Sequence, residues 1–266
     1  MSGKQLSDLF VILVEPSSAQ AKFIMKELHG AGLSHIEIFD TGATALRQMS
    51  SFPPDLVISS MYLPDMTASD LVYQMREDEY THDIAFMLIS SESDFAQLDP
   101  IKQAGVTAIL PKPFESSQLK RALYNTLDIL NLDHLDMDST SLEDLRVLVV
   151  DDSFTSRNLI KRVLKGMGIE HVVEADDGAT AVPLLDEQFF DFVVTDYNMP
   201  QMDGRELLEH IRNNSNQRSI PVLMVTSVGN RGKLAAVAQA GVSGICDKPF
   251  EVDTIRQMIQ TVMSDV

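Results

Sequence analysis

The feature that most constrains this chain is that it repeats itself without a gap. Val14-Glu15-Pro16-Ser17 aligns with Val150-Asp151-Asp152-Ser153, Leu63-Pro64-Asp65-Met66 with Met199-Pro200-Gln201-Met202, and Lys112-Pro113-Phe114-Glu115 with Lys248-Pro249-Phe250-Glu251. Ala104-Gly105-Val106 pairs in the same way with Ala240-Gly241-Val242. From Glu15 to Asp151, from Pro64 to Pro200 and from Lys112 to Lys248, the shift along the chain is identical. A register kept over about a hundred residues with no insertion or deletion implies duplication of one fold. With 266 residues, 44% of them hydrophobic, each half is large enough to bury an ordinary core.

Each copy alternates short β-rich runs with longer segments of helical period, the pattern of βαβ units around a parallel sheet. In the second copy the strands are predicted near 146–150, 171–175, 191–195, 221–226 and 243–246. Ser153 is a suitable N-cap for the first helix, whose Leu159, Ile160, Val163, Leu164 and Met167 share one face. The continuous apolar runs Val147–Val150 and Phe192–Thr195 suit strands covered on both sides. The fold class is therefore α/β, two doubly wound parallel sheets with five strands and five helices each. The expected boundaries are 1–131, an acidic connector over 132–144, and 145–266. Asp133, Asp136, Asp138, Glu143 and Asp144 mark that connector, which reads equally as an extension of the first domain's last helix.

In open α/β sheets functional groups gather at the carboxyl ends of the strands. In the second copy Asp151 and Asp152 follow the first strand, Asp196 ends the third, Thr226 ends the fourth and Lys248 follows the fifth. Three carboxylates in one crevice repel one another and Lys248 alone does not offset them, so an all-oxygen site of this kind suits Mg²⁺ or Mn²⁺. One carboxylate can then attack a phosphoryl donor while metal, ammonium and hydroxyl stabilise the transferring oxygens.

Val-Asp-Asp-Ser at 150–153, Thr-Asp-Tyr-Asn-Met-Pro-Gln-Met-Asp-Gly at 195–204, Val-Thr-Ser at 225–227 and Asp-Lys-Pro-Phe at 247–250 closely resemble receiver domains of bacterial two-component response regulators, chemotaxis-regulator-like and flavodoxin-like in fold. The resemblance covers nearly all of 145–266. It implies that Asp196 is the phosphoacceptor and that Asp152, Asp196 and the backbone carbonyl of Asn198 bind Mg²⁺, with Asp151 acting largely through metal-bound water. It further implies that Thr226 bonds a phosphoryl oxygen after transfer and that Lys248 pairs with the phosphate, often through a cis bond to Pro249. The family commonly carries an aromatic residue three positions before the lysine, where this chain has Ile245 and Ile109. Asn198 and Val228 occupy the positions that tune acyl-phosphate lifetime in the family.

The same offset puts Glu15, Pro16, Ser60, Ser90 and Lys112 at the places of Asp151, Asp152, Asp196, Thr226 and Lys248. Pro16 offers no side-chain oxygen, and Ser60 reads as a neutral hydroxyl without an adjacent base, so neither a metal site nor an acyl-phosphate nucleophile is expected. Lys112 either pairs with Glu15 or is a relic. This copy reads as a pseudo-receiver serving dimerisation, kinase docking or contact with its neighbour.

A formal charge of −18 repels nucleic acid and anionic lipid, so neither is an expected partner. No apolar run approaches the roughly 20 residues of a membrane helix and no cationic, apolar leader opens the chain. The lone Cys246 fits a reducing compartment, and cytoplasm is the expected location. The six histidines are scattered without ligand spacing, and methionines such as Met25, Met49, Met167, Met224 and Met263 fall mostly on apolar faces. The leading expectation is a response regulator without an output domain, or a piece of a longer one. A histidine kinase or phosphotransfer protein donates to Asp196, the resulting change alters a contact with a downstream protein or the interdomain geometry, and a homodimer is a further expected partner state. The chain catalyses only its own phosphorylation and dephosphorylation. The alternatives are a phosphorylation-independent scaffold and a phosphate sink.

Overall fold

In a computed structural model of the chain, residues 3–132, 142–227, 237–238 and 240–264 are described. The chain divides into two compact units, Met1–Asn131 and Leu132–Val266, taken separately below. After a 3₁₀ turn at Leu6–Asp8, the first unit runs β1 (Phe10–Val14), α1 (Ser18–Ala31), β2 (His35–Phe39), α2 (Gly42–Ser51), β3 (Leu56–Ser59), α3 (Ala68–Glu77), β4 (Ala85–Ser90), α4 (Phe95–Gln103), β5 (Ala108–Pro111) and α5 (Ser116–Leu130). The second runs β6 (Arg146–Val150), α6 (Phe154–Gly166), β7 (His171–Ala175), α7 (Gly178–Glu187), β8 (Phe192–Asp196), α8 (Gly204–Asn213), β9 (Val222–Thr226), β10 (Gly244–Asp247) and α9 (Val252–Ser264). The strands expected from 191, 221 and 243 each begin one residue later. All five expected helices occur in the first unit and four among the described residues of the second. Residues 228–236 and 239, between β9 and β10, lie outside the described residues, as do Val228 and most of the expected connector, 133–141.

Both sheets are parallel throughout, ordered β2-β1-β3-β4-β5 and β7-β6-β8-β9-β10. Two apolar faces on each strand produce this arrangement. In β1, Val11 and Leu13 pack with Ile24, Leu28 and Leu119 on one side, while Ile12 and Val14 pack with Met49, Leu71 and Met75 on the other. In β6, Val147 through Val150 are all fully buried. Each such side chain contributes about 1.5–3 kcal/mol of transfer free energy. On α6, Leu159, Ile160, Val163 and Leu164 form the buried face that the spacing predicts. The hydroxyls of Ser17 and Ser153 accept the backbone N–H of Gln20 and Ser156, capping α1 and α6 alike.

A guanidinium fastens the opposite rim of each sheet. From α3, Arg76 donates to the carbonyls of His82 (2.8 Å), Ile84 (2.9 Å) and Ala104 (3.0 Å), just ahead of β4 and β5. From α8, Arg212 donates to those of Arg218 (2.8 Å), Ile220 (2.8 Å) and Gly241 (2.8 Å), just ahead of β9 and β10. Burial pulls the pKa of Arg76 down to about 10, which leaves it charged at neutral pH. Among the described residues no helix is long and apolar enough to cross a membrane.

Candidate functional site

Strand register assembles the second unit's site. Val150 lies opposite Thr195, and Asp247 opposite Thr226, so Asp151, Asp196, Thr226 and Lys248 leave the sheet at one edge. Asp151, Asp196 and Thr226 are fully buried, and Lys248 nearly so. Each residue beyond a strand end also has a local reason for its place. Asp151 accepts the backbone N–H of Ser153 on Oδ1 at 2.9 Å, which forms the turn into α6. The backbone N–H of Lys248 donates to Thr226 at 2.7 Å, and Lys248–Pro249 is cis, as is Lys112–Pro113.

One carboxylate oxygen from each of Asp151, Asp152 and Asp196 lies within 4.8 Å of the others, the only such acidic or metal-ligating group among the described residues. The Lys248 ammonium donates to Asp151 Oδ2 at 2.7 Å and Asp196 Oδ2 at 2.9 Å. Asp196 Oδ1 accepts the backbone N–H of Tyr197 at 2.6 Å. Burial, reinforced by repulsion from Asp151 and opposed by Lys248, pushes the Asp196 pKa up to about 6. Asp152 is exposed by comparison, yet burial of its carboxyl and then the charge of Asp151 raise its pKa too. Burial acts to lower the pKa of Lys248, but the charges and hydrogen bonds of Asp151 and Asp196 outweigh it and raise the value. Three ionised carboxylates and one ammonium leave two negative charges in a crevice with a buried floor at Asp151 and Asp196 and an open side at Asp152, and that surplus with its oxygen donors fits a hard divalent cation. The side chain of Asn198 donates to Ser227 Oγ at 3.4 Å beside this cluster.

The loop after Asp196 approaches closely. A methyl group at Gly204 would lie 2.0 Å from the Asp196 carbonyl oxygen, and the Gly204 N–H donates to Tyr197 at 2.9 Å. The turn leading to it holds Gln201 at φ 58°, in the left-handed region that side chains disfavour. In the first unit the place of Gly204 is taken by Ala68, whose N–H makes the equivalent bond to Met61 at 2.8 Å.

The first unit's equivalent edge is also fully connected, which corrects the expectation that Ser60 has no adjacent base. The Ser60 hydroxyl donates to Glu15 Oε2. Lys112 donates to that same oxygen at 3.1 Å, to Ser60 Oγ at 3.3 Å and to Gln20 Oε1. Of the two readings for Lys112, the paired one is observed. Glu15 Oε1 accepts the Ser17 N–H at 2.9 Å, matching Asp151. The extra methylene of Glu15 spans the gap that the shorter Ser60 leaves, a matter of reach that residue types at strand ends do not reveal. Beside it, a cleft of 440 Å³ has apolar walls from Pro16, Ala21, Ile38 and Phe39 and polar ones from Glu15, Ser18, Lys22, Asp40 and Thr44, and Pro16 puts a ring without oxygen at the place of Asp152. A divalent cation does not fit these residues.

The model of the response regulator receiver domain matches the chain twice, over residues 11–124 and 147–260, two windows related by the same shift as the repeated motifs. Chemotaxis protein CheY-3 of Vibrio cholerae is 40% identical over 126 residues, 47% of this chain and 97% of that protein. Chemotaxis protein CheY of Pseudomonas aeruginosa is 42% identical over 122 residues, 46% and 98% respectively. Among solved structures, chemotaxis protein CheY4 of Vibrio cholerae is 32% identical and covers 44% of this chain and 98% of its own, with a TM-score of 0.42.

Proposed function

The chain belongs to the response regulator receiver family, and from that premise we propose that it is a phosphorylation-controlled signalling protein whose second unit accepts a phosphoryl group on Asp196 and whose first unit is a pseudo-receiver for docking or dimerisation. The single observation that carries this reading is the convergence of Asp151, Asp152 and Asp196 on one point, with Lys248 bridging two of them. In this reading Asp151, Asp152, Asp196 and the backbone carbonyl of Asn198 hold Mg²⁺. The ion, when bound, offsets carboxylate charge and polarises the oxygens of the phosphoryl group being transferred.

Lys248 fixes one Asp196 oxygen, which orients the carboxylate for in-line attack. That attack forms the carboxylate O–P bond and breaks the P–N bond of a phosphorylated histidine on a kinase or phosphotransfer protein, whose imidazole leaves and takes a proton from water. The Thr226 hydroxyl then bonds a phosphoryl oxygen, and Lys248 exchanges a carboxylate partner for the phosphate. Water later cleaves the acyl phosphate and restores Asp196, so the chain catalyses only its own phosphorylation and dephosphorylation. We place the protein in the cytoplasm, with a sensor kinase or phosphotransfer protein upstream and a protein target or second copy downstream. Its net charge disfavours nucleic acid and anionic membranes.

The test is incubation of the full chain with a small phosphodonor and Mg²⁺, followed by intact mass measurement. One added phosphoryl group is expected, absent without Mg²⁺ and absent in Asp196→Ala. An unchanged wild-type mass would overturn the reading and leave a phosphorylation-independent scaffold. A partner whose affinity stays constant on phosphorylation would make the chain a phosphate sink.

A further inference from the structure

We propose that the first unit's pocket is locked by its own side chains, with the Glu15 carboxylate standing where an oxyanion would otherwise bind Lys112, and with a Tyr62–Glu92 bond tying together the two loops beside it. The unit then holds one conformation whether or not metal or phosphoryl donor is present.

An ammonium has three donors. Those of Lys112 face Glu15 Oε2, Ser60 Oγ and Gln20 Oε1, and none is left over for an incoming anion. Glu15 is only 4% exposed, and its single charge balances that of Lys112. Nothing in the cluster needs a cation, in contrast with the double negative surplus of the second unit. An arriving phosphate would have to displace a buried carboxylate already hydrogen-bonded through both oxygens, to Ser17 on one and to Ser60 and Lys112 on the other.

The outer fastening is independent of the inner one. Tyr62 lies two residues beyond Ser60 on the β3–α3 connection, and Glu92 two beyond Ser90 on the β4–α4 connection. The phenol donates to Glu92 Oε2 at 2.7 Å, while Glu92 Oε1 accepts the backbone N–H of both Ser93 and Asp94 at 2.9 Å. The Glu92 N–H in turn donates to Ser90 Oγ at 3.0 Å. A carboxylate with these partners holds the start of one loop against the other. By the offset, Tyr62 and Glu92 stand at the sequence places of Asn198 and Val228, the two positions that the family resemblance associates with acyl-phosphate lifetime.

This inference does not rest on Asp196 accepting a phosphoryl group, because every readout falls within residues 10–116. The experiment is hydrogen exchange on the full chain carrying Asp196→Ala, with and without inorganic phosphate and, separately, Mg²⁺. With Glu15 present, neither probe is expected to alter exchange at 10–20, 84–95 or 108–116. With Glu15→Ala added, phosphate is expected to slow exchange at 108–116 several-fold, because Lys112 is released to bind it. Glu15→Gln, which keeps the shape but removes the charge that balances Lys112, is expected to give a smaller response of the same sign, so a folding defect of the alanine variant does not decide the matter. Tyr62→Phe is expected to speed exchange several-fold at the Ser93 and Asp94 amides alone. A response to phosphate or Mg²⁺ with Glu15 intact, no response in either Glu15 variant, or unchanged loop exchange in Tyr62→Phe would each overturn the proposal.

Discussion

Burial of Asp196 carries an electrostatic cost, and the sign of that effect is measurable. Its folded pKa of about 6 lies above the ordinary carboxylate value, so its contribution to stability is present in full below about pH 4 and is lost as pH rises through 6. At pH 7.5 in chelator, Asp196→Asn is therefore expected to stabilise the second unit by on the order of 1–3 kcal/mol. Near pH 4 the difference should vanish, as read by urea unfolding of both proteins at the two pH values; a gain that persists at pH 4 would refute the electrostatic account. The acidic residues at the strand ends were legible in the sequence because their types and order carry the signal. Ser60 shows the opposite: its partner depends on how far the Glu15 side chain extends, and the residue types alone pointed to an isolated hydroxyl. Gln20 escaped notice for a related reason, since it reaches the cluster from the first turn of α1 rather than from a strand end.

At the scale of elements, strands and helices were legible because apolar runs such as Val147–Val150 can be satisfied only between two covering layers. The expected starts Asp191, Pro221 and Ser243 lie one residue ahead of β8, β9 and β10, and each is joined to the neighbouring strand by a single backbone hydrogen bond before the paired run begins. The loop between β8 and α8 was not legible in this way. Its Met-Asp-Gly motif signalled a family, but only coordinates show that the glycine lies against the Asp196 carbonyl. Because that contact is with backbone, which cannot rotate aside, Gly204→Ala is expected to destabilise the second unit by about 1–3 kcal/mol. It should also displace the Asp196 loop and reduce uptake from a small phosphodonor at least tenfold. Urea unfolding and intact mass check the two halves of that statement, and a variant with wild-type stability and uptake would refute it.

For the whole molecule, the duplication was the clearest signal, and the offset that revealed it also explains why both units share caps, cis prolines and guanidinium fasteners. Arg76 and Arg212 were legible in principle, since they hold equivalent positions in the two copies, yet nothing in an isolated arginine announces that it collects three carbonyls. A formal charge of −18 also acts at this scale, through self-repulsion in the compact state. Raising monovalent salt from low concentration to about 0.15 M shortens the Debye length to about 8 Å and is expected to raise the melting temperature. A flat or falling melting curve across that range would contradict it. The position of the fasteners has a last consequence. They grip the sheet at the end where strands β4, β5, β9 and β10 begin, whereas the reactive groups stand where strands finish. Wear at one rim therefore leaves the clasp at the other undisturbed: the unit that carries Pro16 and Ser60 at its strand ends still has Arg76 closed on all three carbonyls.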